Sequence, residues 1–429
     1  MARHPRARRR LLVLGAGPAQ LGLLQAARAR GDLEVIAVDR DPQAPGFALA
    51  DERAVLSSED EEAVDRLARA RDVDGIVSPG ADWPVGIAAR VAERMALAHP
   101  IDAHTGSLAT SKARQREVFA AAGVTHARAL DPRDPALPFP CVVKAPDRQG
   151  QRGLTLVRSR DQLRAALDTA LAESRGGGTL VEERVEGPEV TVNAVSVDGR
   201  FVPLTVTDRI TAEPPAFGVA LAHVWPSVHD TEPAVAVARA AVEAVGIRSG
   251  PSYTQLRLGP DGPVVMEVAA RLGGGHDPEL CQAATGVDLN ALAVAFALGE
   301  EASNSLLQAP ALDERGSGSG QFAAGRRASN RLLQTRSLAG GSVAGAVVAF
   351  IVPPVGTLLT VEGLAEAEAV PGVEWVRVYR RPGHVFGPFR RGPDRAGAVL
   401  AAGRNREEAF ERARRAADAV RFRVDADAP

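Results

Sequence analysis

Residues 252–276 read SYTQLRLGPDGPVVMEVAARLGGGH, and the reading of the chain turns on them. Two runs of alternating character, Ser252 to Leu258 and Val264 to Ala269, flank the breaker cluster Gly259-Pro260-Asp261-Gly262-Pro263, the pattern of a β-hairpin. With those five residues as the loop, Leu258 faces Val264 and the register puts Gln255 opposite Glu267. Such partners stand about 5 Å apart. The same register sets Arg257 and Val265 on the face of that pair, and Leu256, Leu258, Val264, Met266 and Val268 on the apolar core side. A carboxylate and an amide oxygen side by side on rigid strands suit a hard cation, and magnesium takes one or two protein oxygens beside substrate phosphates. A solvent-facing polar pair is the plainer reading of the hairpin alone. Arg271 follows, then Gly273-Gly274-Gly275, then Asp277-Pro278, an N-cap and first-turn proline of a helix. A glycine run feeding a helix N-terminus suits an anion, so the whole stretch points to phosphate chemistry.

At 429 residues the chain exceeds what one hydrophobic core serves, and two or three domains are expected. A net charge of −2 lacks the basic field of a dedicated nucleic-acid binder. Met1 to Arg10 is basic but leads into a short strand, and no run of about eighteen apolar residues occurs, so neither a signal segment nor a membrane span is expected. The expected setting is cytoplasmic. Cys141 and Cys281 stand far apart in apolar surroundings and read as buried core residues.

Leu11 to Leu14, Gly15-Ala16-Gly17-Pro18, an apolar-periodic helix to about Arg30 and Glu34 to Asp39 make a strand–helix–strand unit of an open parallel α/β sheet. Gly15, Gly17 and Asp39 match part of a dinucleotide fingerprint, but Gln20 stands where the third glycine belongs, which favours a tight packing turn. The alternation continues through Ala54 to Leu56, Glu59 to Arg71, Gly75 to Ser78 and Trp83 to Ala98, and the domain ends near a helix at Lys112 to Ala122. After a proline-rich connector, Phe139 to Ala145 reads as a strand bearing Lys144, with a glycine-containing flap at 147–153 and a returning strand at Leu154 to Val157. Backbone amides of such a flap can close over phosphates while a strand lysine neutralises them. A surface lysine is the alternative, weakened by the apolar neighbours of Lys144. Ser159 and Gln162 form a capping box for a helix to about Glu173. Thr179 to Val185 is a strand whose Glu182 and backbone suit an adenine, with Glu189 seven residues on in reach of ribose hydroxyls.

Lys112, Lys144 with its flap, LVEERVEGPE, then QLRL and MEVAARLGGG, in that order, resemble an ATP-grasp enzyme over nearly the whole chain. The resemblance implies an α/β and α+β architecture: an ATP-grasp fold preceded by an open parallel, Rossmann-like pre-ATP-grasp domain. It implies that Lys112, Lys144, Gly150 and Gly153 meet ATP phosphates, that Glu182, Glu183 and Val185 form the adenine hinge, and that Glu189 meets the ribose. Gln255 and Glu267 then hold magnesium or manganese. Family members often carry an asparagine two residues after the second acid. Here that place is Ala269, which removes one metal ligand. Arg271 matches the family arginine that binds carboxylate or acyl phosphate, with Gly273, Gly274 and His276 beside it and Gly274 and Lys144 at the reacting groups.

EVAARLGGGHDPEL, FGVALAHVWPS (217–227) and the carboxy-terminal part resemble L-amino-acid α-ligases and carnosine-synthase-like enzymes. Gly345 to Pro353, Val361 to Val370 and Val373 to Tyr379 read as strand, helix, strand, followed by a strand at Gly397 to Ala402 and a helix at Asn405 to Val420, an α+β lid behind the flexible link 316–320. The expected division is 1–110, 111–205, 206–310 and 311–429. His223 reads equally as a substrate contact or a structural histidine. The implied activity is ATP-dependent ligation of a small-molecule carboxylate to an amine by a homodimer. A nicotinamide oxidoreductase, a nonenzymatic nucleotide-binding regulator and a purine-pathway ligase or carboxylase are the alternatives.

Overall fold

The computed structural model describes residues 8–301, 337–338 and 341–425. The link expected at 316–320 lies outside the described residues. β1 (Arg9–Leu14), β2 (Leu33–Asp39), β3 (Glu52–Val55) and β4 (Gly75–Val77) form the expected parallel sheet, in the order β3-β2-β1-β4. Helices cover both faces, which is why β1 and β2 are continuous apolar runs. Leu11 and Val13 pack towards α1 (Leu21–Ala29), whereas Leu12 and Leu14 pack towards α2 (Glu61–Arg71) and α3 (Asp82–Arg94). Gly15 turns the chain at φ +114°, and the Gln20 side chain fills the hollow beside Gly15 and Gly17. The glycines thus serve the packing turn.

Two helices, α4 (Ala103–Ala109) and α5 (Lys112–Ala121), lead to a small antiparallel sheet of order β6-β5-β7, made of β5 (Cys141–Lys144), β6 (Thr155–Val157) and β7 (Leu180–Glu183) and covered by α6 (Arg160–Glu173). The capping box expected there is absent. The Ser159 side chain makes no cap bond, and Gln162 Oε1 instead accepts from the Arg158 amide at 2.9 Å.

The main body is an eight-stranded sheet. It contains β8 (Glu189–Val197), β9 (Arg200–Thr211), β10 (Ala220–Trp225), then after α7 (Glu232–Val245) the hairpin β11 (Gly250–Gly259) and β12 (Gly262–Ala269). Helices α8 (Asp277–Thr285) and α9 (Leu289–Ala297) follow, then the short pair β13 (Ser337–Leu338) and β14 (Gly341–Ser342). The carboxy-terminal part holds β15 (Gly345–Ile351), β16 (Gly356–Glu362), α10 (Leu364–Glu368), β17 (Val373–Val378), β18 (Val385–Phe386), β19 (Gly397–Gly403), α11 (Arg406–Ala419) and β20 (Arg421–Asp425). The large sheet runs β12-β11-β8-β9-β10-β15-β19-β17, and β18-β16-β20 is a separate three-stranded sheet.

Two expectations need correction. The boundary at 205/206 falls inside β9, and three strands assigned to the lid complete the main sheet, because β10 pairs with β15 from Ala222–Ala349 to Trp225–Ala346. A helix over 361–370 shrinks to α10, since Thr360 and Val361 continue β16 and Gly363 breaks the chain at φ +78°. Both cysteines are free and buried, as expected. No single described helix is long and apolar enough to cross a membrane. The bent pair α8–α9 comes nearest, and its apolar residues are core.

Candidate active site

The hairpin delivers its two oxygen ligands by a route of its own. The turn is tighter than a five-residue loop, with Gly259 paired to Gly262 and Leu258 to Pro263. A bulge between Gln255 and Leu256 then restores the register, so that Gln255 does stand opposite Glu267. The bulge also exchanges two side chains between faces. Val265 is buried in the core, whereas Met266 lines the cavity beside Glu267. β12 is the sheet's edge strand, and α5 covers it. Gln115 is fully buried, donates from Nε2 to the Val268 carbonyl at 2.7 Å and accepts from the Val268 amide at 3.1 Å. It supplies the missing neighbour strand one residue from Glu267.

One turn earlier, Lys112 Nζ lies 3.0 Å from Glu267 Oε1 and 2.7 Å from the Arg148 carbonyl of the flap. Burial alone raises the Glu267 carboxyl, but Lys112 and Arg271 outweigh it and hold it below the usual carboxylate range. Gln255 Nε2 donates to Glu189 Oε1 at 2.6 Å, which leaves its amide oxygen as the acceptor. One carboxylate and one amide oxygen are hard donors of the kind magnesium takes. Among the described residues no group of three or more His, Cys, Asp or Glu is arranged to hold a metal ion, and Ala269 is buried where a further oxygen ligand was looked for.

A cleft opens on one side of this pair, lined by Lys112, Lys144, Gly150, Glu182, Glu183, Val185 and Glu189 among others. Lys144 Nζ is 2.5 Å from Glu182 Oε2, and Arg116 Nε donates to Glu182 Oε1 at 2.7 Å. Burial lowers the Lys144 ammonium to a pKa of about 8, with Arg116 and Lys112 pushing the same way and Glu182 opposing. Glu182, expected to meet an adenine, lines the cleft with its carboxylate held by these two cations. Glu189 likewise accepts from Arg209 at 2.8 Å, from Gln255 and from Arg257 at 3.2 Å. Gly153 is not in the wall; at φ +67° it packs against Ala145 and Ala170.

A second cavity of about 370 Å³ opens on the other side, lined by Arg209, His223, Tyr253, Arg271, Gly274, Gly275, His276 and by Tyr379, Arg380 and Arg395 from the carboxy-terminal part. Gln149, Gly150, Gln151, Arg152, Gln255 and Glu267 line both cavities. Arg271 is buried, and its Nε donates to Asp82 Oδ1 at 2.5 Å. Asp82 escaped the sequence reading. The usable signal was its place just past β4, at the carboxyl edge of the parallel sheet where open α/β folds bind ligands. His223 is buried with Nδ1 3.0 Å from Asp277 Oδ1. Burial alone raises the Asp277 carboxyl, but His223 and Arg209 draw it down to about 2. Asp277 is the first residue of α8 rather than its cap, a place taken by His276 at φ +60°. A Cβ on Gly275 lands 2.4 Å from His223 Cε1, and one on Gly273 2.4 Å from Asp277 Oδ2. Gly275 therefore makes room for His223, while Gly273 packs on Asp277 outside the cavity wall. His276 Nε2 sits 2.6 Å from the Tyr379 hydroxyl, and its ring meets Trp375 edge-on at 4.9 Å.

An ATP-grasp domain model matches residues 137–279, the span from the flap sheet to α8 that walls both cavities. The chain contains an ATP-grasp domain. A second model, L-amino acid ligase C-terminal domain 2, matches residues 349–425. The crystal structure of an L-amino acid ligase from Bacillus licheniformis superposes with a TM-score of 0.77 at 22% identity, covering 98% of this chain and 100% of that one. Carnosine synthase 1 of Gallus gallus is 32% identical over 179 residues, 38% of this chain and 19% of that protein. A formate-dependent phosphoribosylglycinamide formyltransferase of Burkholderia vietnamiensis is 27% identical over 445 residues, 96% of this chain and 95% of its own length. ATP-grasp enzymes are ATP-dependent ligases that use ATP and magnesium, and this chain is one of them.

Proposed function

We propose that this ATP-grasp protein joins a carboxylate to an amine, forming an amide or peptide bond between two amino acids or between an amino acid and a related carboxylate. The observation that carries the reading is that two cavities of different chemistry meet at the Gln255–Glu267 pair beneath one shared loop. Lysines and a hinge strand suit ATP on one side, and a buried arginine and a glycine run suit an acid on the other. The carboxy-terminal match to an L-amino acid ligase domain, whose loops at 379–380 and 392–395 wall the second cavity, supports amino acids as the substrates.

Gln255 and Glu267 would hold magnesium, which when bound would supply positive charge to the ATP phosphates. Lys144 and Lys112 hold the γ-phosphoryl group in line, an electrostatic and positioning role. A substrate carboxylate oxygen attacks the γ-phosphorus; the new O–P bond forms as the bond to the bridging oxygen breaks and ADP leaves. Arg271, with the amides around Gly274 and Gly275, holds the acyl phosphate. The amine nitrogen then attacks the acyl carbon, the C–N bond forms and phosphate departs. His223, which lines the second cavity with Nδ1 3.0 Å from Asp277 Oδ1, takes up the ammonium proton in this reading. The shared loop keeps water from the acyl phosphate. A carboxylate labelled with ¹⁸O in both oxygens tests the sequence: one label per turnover is expected in the released phosphate. Phosphate free of label contradicts the acyl-phosphate route. The near full-length likeness to a formyltransferase favours one other acceptor, an amine on a ribonucleotide, which the same labelling assay reads when that amine is supplied.

A further inference from the structure

Gln149 sits at the tip of the loop between β5 and β6, is half-buried, and borders three cavities at once. Its Oε1 accepts from the Asp82 amide at 2.5 Å, and its Nε2 points to the Gly80 carbonyl at 3.4 Å. The Asp82 amide is the first N–H of α3, and the residue before it, Ala81, has no side chain to cap it. The flap therefore closes a helix end that the N-terminal domain leaves open. On its other side the Gly150 carbonyl accepts from the Gly392 amide at 3.1 Å, so adjacent flap residues are gripped by the N-terminal domain and by the carboxy-terminal part.

The segment that Gln149 grips is not a passive wall. Asp82 carries the carboxylate that holds Arg271, and the Gly80 carbonyl lies 3.3 Å from where a Cβ on Gly274 would stand. We infer that Gln149 is a positioning residue: its amide latches the flap over the nucleotide to the segment 80–82 that aligns Arg271 and the glycine run. Closure over ATP and alignment of the acid-binding arginine are thereby one event. This rests on the ligase reading for its chemical consequence, though the latch itself does not depend on which acid and amine react. Gln149 lies outside every described core cluster, so its replacement leaves the fold in place.

The test uses the full chain and two variants, Gln149→Ala and Gln149→Met, the second keeping the bulk without the polar atoms. Limited trypsin digestion at Arg148 and Arg152 reads the flap directly, with MgATP as the added ligand. The wild type is expected to gain protection with MgATP, and both variants to lose most of that gain. With substrates, the wild type is expected to release one ADP per amide, whereas both variants release several-fold more ADP than amide because water reaches the acyl phosphate. Equal protection and an equal ADP-to-amide ratio in wild type and variants overturn the latch. A wild type that makes no amide with any acid and amine overturns the ligase reading alone, and the digestion then decides the latch without it.

Discussion

Lys144 is a cation whose burial is only partly offset by its partner, which gives it a titration close to physiological pH. Its pKa falls from 10.5 to about 8 chiefly through burial, with Glu182 opposing. The sign follows directly. Below about pH 8 the ammonium is charged and attracts the nucleotide, and above it the attraction fades. The kcat/KM for ATP, which reports the free enzyme, is therefore expected to fall on an alkaline limb near pH 8. Glu182→Gln removes the opposing carboxylate and moves that limb to lower pH; a limb unmoved by this change assigns it to another group. Because the folded pKa lies below the unfolded one, the same group adds stability as pH rises from about 8 to 10.5, where the unfolded chain binds more protons. Glu267 is the one charged group proposed for magnesium. Glu267→Ala is expected to lower turnover by at least about a hundredfold while the far-UV spectrum persists. Near wild-type turnover contradicts the metal assignment. Gln255, Glu267, Lys144 and Arg271 stood out because each is a charged or polar residue in a strand or beside a glycine run, whereas Lys112, in the polar run 111–116, entered only through the family resemblance. Asp82 was not legible, since its role depends on a chain segment 189 residues away.

The hairpin shows how a correct pairing can come from an incorrect turn. The Gly-Pro-Asp-Gly-Pro cluster marked a turn but not its length, and local residues did not reveal the bulge that compensates for the tighter one. The visible consequence is the exchange of Val265 and Met266 between faces. Gln115 was equally hidden. Within a helix of mixed character it reads as a surface residue, yet it is fully buried and pairs both ways with the β12 backbone. Gln115→Leu leaves the Val268 amide and carbonyl without partners in a buried setting. The expected loss is about 2 to 4 kcal/mol in urea unfolding, with weaker nucleotide binding through displaced Glu267 and Lys112. Unchanged stability contradicts the role of Gln115 as a surrogate strand.

Across the whole molecule, the alternation of strand and helix in residues 9–94 was legible because parallel strands covered on both faces carry continuous apolar runs. Of the carboxy-terminal elements β15, β17, β19 and α11 were found, whereas β16, β18 and β20 were missed, the helix was drawn too long, and the destination of the strands was not seen. β15 joins β10 across more than a hundred residues, and no local periodicity specifies so distant a partner. That joining matters for function, because it brings Tyr379, Arg380 and Arg395 to the second cavity and Gly392 to the flap. The central claim, a ligase with a nucleotide cavity and an acid–amine cavity meeting at one metal pair, is tested most directly by supplying purified protein with ATP, magnesium and pairs drawn from the amino acids. The predicted result is ADP and phosphate release that needs both members of a pair, together with a product whose mass equals their sum less one water. ATP binding without ADP release or condensed product across the whole panel is the result that contradicts it.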